Sequence, residues 1–248
     1  MTGFFNTILV KPLYNALIFL VDFLPYSDIG IAVILLTIAV RFIIFPISRN
    51  AIKSQIKMKE IQKPLKEIQD KYKDDKQKMS LEMMNLYREN NIKPFSSFLL
   101  ILIQLPIIIA LFFVFSRTNL PEINPDFLYS FISVPAQINP AMLGFFDLAS
   151  KSVILAFLAA FTQFIQAQIM FKKNALMNKK DENEPKKEGM MEDMMKGMQI
   201  QMKYVMPVFM YFLALSLGSL IAIYFVTGNI FSIFQEMYIK NKIIRDSE

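Results

Sequence analysis

The sequence predicts an all-α polytopic membrane protein: five transmembrane helices, a cytoplasmic helical hairpin and an N-terminal amphipathic surface helix. Three observations predict it. The chain has 248 residues, 54% hydrophobic yet 19% charged, with a mean hydropathy of +0.38. The charge is segregated: residues 48–95 and 172–203 hold 20 of the 27 Lys+Arg and 13 of the 21 Asp+Glu. Most of the remainder lies in long apolar stretches, and a helix needs only about 20 such residues to cross a bilayer.

Residues 1–28 precede the first of these stretches. Lys11-Pro12 interrupts their apolar run, and on a helix Lys11, Asn15 and Asp22 fall within roughly 40° of one another. That favours a surface helix on the outer side over a span. The basic start and small-residue cleavage site of a signal peptide are not evident. The first span is 29–47, whose single charge is Arg41. Residues 48–94 follow as a charged hairpin. Ile52, Ile56, Ile61, Leu65 and Ile68 recur at helical intervals, as do Met79, Met83, Leu86 and Tyr87. The polar run Lys71 to Lys76 between them has no apolar period, so two antiparallel helices joined by a turn are expected.

The second span is 95–116 and the third 152–171, separated by a loop over 117–151. A charged loop over 172–202 follows. Tyr204 to Gln235 is uncharged over 32 residues, too long for one span, and Leu217-Gly218-Ser219 offers a turn. Two short spans result, 203–217 and 218–238, with a tail over 239–248. The loops set the orientation. Region 48–95 carries 12 basic against 7 acidic residues and 172–203 carries 8 against 6, whereas 117–150 has one Arg and three acids. Positive loops stay inside, so the N-terminus is expected outside and the C-terminus in the cytoplasm. A pI of about 9.3 can signal nucleic acid, but loop charge beside apolar spans accounts for it first, and no specific nucleic-acid sequence is implied.

Composition also removes function classes. With no His, Ser-His-Asp and Cys-His catalysis and imidazole metal sites are impossible. With no Cys there are no disulfides, thiol chemistry or lipidated N-terminal Cys. No Gly-rich phosphate loop is present, so neither an enzyme nor a cofactor or metal is expected.

The residues that stand out are polar ones inside apolar spans. A charge there costs about 2.5–3.5 kcal/mol by insertion scales. Arg41 therefore either faces a polar cavity or reaches the headgroups, about 9 Å away at 1.5 Å per residue. Thr37 lies one turn before it. Ser97 and Gln104 share a face of the second span, Thr162, Gln163 and Gln166 cluster in the third, and Tyr224 lies in the fifth with Asn229, Ser232 and Gln235. Singly, each is explained by an interhelical hydrogen bond; together they outline a weakly polar groove whose one fixed charge is Arg41. Met190, Met194, Met198, Met202, Met206 and Met210 recur every four residues, which suits either an adaptable apolar surface or an ordinary lead-in helix, the reading preferred.

At this point the sequence resembles the YidC/Oxa/Alb family of membrane protein insertases. The stretches Pro46-Ile-Ser-Arg49, Ile52-Lys-Ser-Gln55, Leu65-Lys-Glu-Ile-Gln-Asp-Lys-Tyr-Lys-Asp-Asp-Lys-Gln-Lys-Met79 and Glu82-Met-Met-Asn-Leu-Tyr-Arg-Glu-Asn90 are similar to the family's cytoplasmic hairpin. Leu102-Ile-Gln-Leu-Pro-Ile-Ile-Ile-Ala-Leu111 is similar to its following span. Phe146-Asp-Leu148 precedes the third span, and Met206-Pro207 with Tyr224, Asn229 and Gln235 resembles the last hairpin. The likeness runs over roughly residues 29–240.

The resemblance implies five helices around a groove open to cytoplasm and lipid but closed outside, with Arg41 as the groove arginine. It makes the hairpin a mobile receiver of clients. It further implies that Leu105, Ile108 and Phe112, with Val208 and Phe212, form the slide along which a client helix leaves. The implied partners are nascent membrane proteins and the lipid bilayer, with the ribosome and the Sec translocon as further candidates. The implied location is a bacterial cytoplasmic membrane. Phe95-Ser-Ser-Phe98 and Ser216-Leu-Gly-Ser219 depart from the family's usual segments, no large external domain precedes the first span, and the tail after Gln235 has no net charge. That last point argues against a basic ribosome-binding tail. Two other classes compete: a small-solute transporter, disfavoured by the lack of inverted repeats, and a scaffold that binds membrane proteins without inserting them.

Overall fold

The computed structural model describes residues 2–93, 96–117, 123–135, 137–144, 146–171, 197 and 200–245. The chain begins with α1 (Thr2–Phe5), a π turn (Asn6–Val10) and α2 (Lys11–Phe23). A second π turn (Gln201–Val205) precedes α8 (Met206–Leu217). Each π turn stands just before a proline, Pro12 or Pro207. A proline ring clashes with the carbonyl four residues back, and a widened turn makes room for it without ending the helix. Lys11-Pro12, expected to interrupt the segment, is thus absorbed.

Gly3–Phe23 consequently has the length and apolarity of a membrane span. The expected wet face is corrected at Asn15. This side chain is buried: its amide donates to the Phe127 carbonyl and its oxygen accepts from the Tyr129 amide, both at 2.7 Å. The polar residue faces inward because loop backbone groups, not water, satisfy it.

α3 (Ile29–Glu60) does not stop at Ile47 but runs on through Pro46 into the charged hairpin. It ends at Glu60, four residues before Pro64, whose missing N–H denies the Glu60 carbonyl a helical partner. α4 (Gln62–Lys71) and α5 (Lys76–Glu89) pack as antiparallel arms, with Asp75 capping the Lys78 amide at 3.0 Å. Ile56, Ile61 and Leu65 are buried along the hairpin seam; Ile52 and Ile68 are half-buried. Lys57 on α3 donates to the Asn90 carbonyl at 3.1 Å, tying the hairpin back to its stem.

α6 (Ser96–Arg117), α7 (Val153–Phe171), α8 and α9 (Ser219–Arg245) complete the bundle. α8 and α9 part at Gly218, whose φ of +103° a side chain would oppose. α9 lies between α7 and α3 and packs on both. Among the described residues, Ile29–Met58, Val153–Phe171 and Ser219–Lys242 also meet the length and apolarity of a span, while Leu102–Phe115 and Gln201–Leu217 are shorter apolar helices.

The core is concentrated at one end. Val10, Tyr14, Leu17, Ile18 and Val21 pack with Ile29, Ala32 and Val33 of α3, Ala110, Leu111 and Val114 of α6, and Ile221 to Phe225 of α9. The segment between α6 and α7 closes over this end. Its hairpin of β1 (Ala141–Met142) and β2 (Phe146–Asp147) is held by Asp28, which accepts from the Ile31 and Leu143 amides at 3.0 and 2.7 Å. Gly30 lets this hairpin approach, since a Cβ there would stand 2.6 Å from the Met142 Cγ.

Candidate functional site

Arg41 sits where the packed end of α3 gives way to an open one. Before it Val33, Leu36 and Thr37 are buried; after it Phe42 and Ile43 are 62% and 75% exposed. The guanidinium is directed at α9, where Gly228 presents no side chain. Among the described residues it makes no ion pair or hydrogen bond, and Tyr224 lies within its electrostatic reach. An unpaired charge near an apolar core is costly, so the site holds a charge that its own neighbours do not neutralise.

The helices bring four of the expected residues together. Thr37, Tyr224, Val33, Leu36, Val40, Leu111 and Phe115 line a small pocket between α3, α6 and α9. The Thr37 hydroxyl donates to the Val33 carbonyl of its own helix at 2.6 Å, a bond that satisfies it without offering it to a ligand. Gln104 donates from Nε2 to the Tyr224 hydroxyl, linking α6 to α9. Tyr224 is itself buried, next to the Arg41 contact.

The α7 residues are placed apart from this cluster, on the far side of α9. The Thr162 hydroxyl donates to the Leu158 and Ala159 carbonyls and accepts from Asn229 at 3.1 Å, so it joins helices. Gln163 and Gln166 are half-buried and make no hydrogen bond to a described residue. The Ser97 side chain lies outside the described residues, as do Met190, Met194 and Met198; Met210 is buried against the core. Leu105, Phe112, Val208 and Phe212 are exposed apolar side chains and Ile108 is half-buried. The α6 and α8 faces that carry them share no extensive interface.

Sequence reasoning missed several contacts. Gly228 is signalled by a glycine inside an apolar helical run. Gln235 donates to the Ser48 hydroxyl, joining α9 to α3 below the arginine. Ser219 bonds the Ser150 carbonyl and accepts from the Ser152 amide at 3.1 Å, fixing the start of α9 beside that of α7. Lys240 spans the Glu236 carboxylate and the Ile169 carbonyl. Apart from Glu236, which stands one helical turn before Lys240, nothing local in the sequence announces these partners, since each is far away in the chain. Among the described residues no acidic group of three or more could hold a metal ion.

Comparison with known proteins identifies the family. The family described as 60Kd inner membrane protein matches residues 20–246. A membrane protein insertase YidC of Oceanobacillus iheyensis is 35% identical over 98% of this chain and 86% of its own. One from Clostridium tetani is 34% identical over 87% of this chain and 83% of its own. YidC 2 of Listeria innocua is 32% identical over 97% and 73%. Each of these relatives is named a membrane protein insertase. A mostly helical, multi-pass bacterial membrane protein with this match belongs to the family of YidC-type membrane protein insertases.

Proposed function

We propose that this chain translocates short hydrophilic ends of client proteins through a groove beside Arg41 and releases their apolar helices into lipid. One observation carries the reading: a guanidinium without a carboxylate partner among the described residues stands at the boundary between a packed end and an open end. In this reading 29–47, 95–116, 152–171, 203–217 and 218–238 are the spans, the packed end faces outside, and the 48–94 hairpin and C-terminus lie in the cytoplasm. The net charge of the hairpin region supports that direction.

The physical problem is the cost of moving polar groups through hydrocarbon, about 2.5–3.5 kcal/mol for one charged side chain at the midplane. A groove entered from the cytoplasm shortens the apolar path. Arg41 offers an acidic client residue an opposite charge in a poorly screened place. Gln104, Tyr224 and Thr37 keep the wall near it polar yet uncharged. The client's own span of about 20 apolar residues then leaves along Leu105, Ile108 and Phe112 of α6 and Val208 and Phe212 of α8, whose exposed faces resemble lipid. No covalent step or cofactor is needed. The hairpin receives the client, from a ribosome or beside the Sec translocon.

The test is reconstitution in liposomes with several short single-span clients, some bearing an acidic residue in the translocated end. Protease protection of that end supports insertion. Solute flux without protection would indicate a transporter, and binding without protection a scaffold. Arg41→Ala is expected to slow the acidic clients most; normal insertion of every client would remove Arg41 from the mechanism.

A further inference from the structure

Gly228 interrupts the apolar run of α9 level with Arg41. A glycine inside a helix carries a backbone-entropy cost relative to alanine, and no positive φ requires one here, since the backbone is helical. Its neighbour supplies the reason. A Cβ on residue 228 would stand 2.5 Å from Nη2, 3.2 Å from Nε and 3.3 Å from Cζ of Arg41. All three atoms belong to the far end of a long side chain. To regain van der Waals separation the guanidinium would have to retreat by about 1 Å, while both backbones could stay in place. The Ser232 hydroxyl donates to the Gly228 carbonyl at 2.8 Å, a second bond that holds this stretch of α9.

We infer that Gly228 is a positioning residue for Arg41. The missing Cβ leaves a notch on α9, and the guanidinium lies against it at a depth fixed by the two helices. The notch sets where the positive charge meets a client, because Coulomb attraction varies with distance and with local solvent access. The consequence for clients rests on the function proposed above; the placement of the side chain does not.

The experiment uses the full chain in liposomes with Gly228→Ala, Arg41→Ala and the double variant. Placement is read by phenylglyoxal labelling of Arg41, quantified by peptide mass spectrometry against Arg49 on the same helix. Function is read as the initial rate of protease protection for a client with an acidic translocated end. Gly228→Ala is expected to change Arg41 labelling by about twofold or more and to slow insertion comparably, with no further loss in the Arg41→Ala background. Thermal stability should not fall, because alanine is the better helix former. Gly228→Ser carries the same Cβ and should shift labelling in the same direction. Unchanged labelling in both Gly228 variants overturns the inference, and so does an equal loss of insertion with Arg41 already removed. If labelling shifts while Arg41→Ala inserts every client normally, the positioning role stands and the proposed role of Arg41 with clients falls.

Discussion

The amide of Asn229 donates to the Thr162 hydroxyl at 3.1 Å, and the same nitrogen reaches the Ala159 carbonyl at 3.3 Å. A buried polar contact thus pins α9 to α7 in a region otherwise held by apolar packing. Interhelical bonds of this kind are worth about 0.6 kcal/mol on average in membranes, up to about 1.7. A double-mutant cycle of Asn229→Ala and Thr162→Ala, read by denaturant unfolding in detergent micelles, should return a coupling within that range. Additive losses would mean that the two side chains do not communicate.

Lys240 holds two partners at once, Glu236 at 2.6 Å and the Ile169 carbonyl at 2.7 Å. The second contact places a cation at the C-terminal end of α7, where the helix dipole favours it. Glu236 is 8% exposed at its side chain, so removing the lysine strands a mostly buried carboxylate. Lys240→Met should therefore destabilise by about 3 kcal/mol, and Lys240→Met with Glu236→Met by clearly less. Unfolding midpoints of the two variants decide the order.

Tyr224→Phe removes the acceptor for the Gln104 amide. The lost bond and the unpaired donor should cost about 1–2 kcal/mol, and adding Gln104→Leu should restore part of it, because an apolar pair leaves nothing unsatisfied. Thermal unfolding of the single and double variants in micelles measures both effects.

Gly30→Ala puts a Cβ 2.6 Å from Cγ and 2.7 Å from Cβ of Met142, and 2.9 Å from Cδ1 of Leu148. Unlike the contact at Gly228, one of these atoms is close to backbone and cannot swing away. The expected cost is about 1–3 kcal/mol, seen as a lower Tm, with partial recovery when Met142→Ala is added. A neutral Gly30→Ala would show that the 141–147 hairpin is loosely docked.

Much of this arrangement is legible in the sequence for local reasons. The α7 boundaries follow from an uncharged run, the turn between α4 and α5 from a polar stretch ending in a capping Asp75, and the α8–α9 break from a glycine. Arg41 is legible because a charge in an apolar run is expensive wherever it points. Its surroundings are not, since Gly228 and Tyr224 come from more than 180 residues away in the chain. Asn15 misleads for the same reason. Helical periodicity places it beside Lys11 and Asp22, and only the loop backbone at Phe127 and Tyr129 turns it into a core residue. The end of α3 at Glu60 rather than Ile47 is a question of solvent, not of helix: apolar content marks where lipid ends, and a helix is free to continue past it.

That continuity has a mechanical consequence. Arg41 and the base of the hairpin belong to one rod, with Pro46 its weakest joint, where the lost N–H leaves the Phe42 carbonyl without its helical bond. From Pro46 to Glu60 the rod extends about 21 Å at 1.5 Å per residue. A 10° bend at that joint sweeps the far end through about 4 Å, while the arginine one turn above it barely shifts. The α4–α5 arms can therefore make a long stroke at their tips without disturbing the charge at their root.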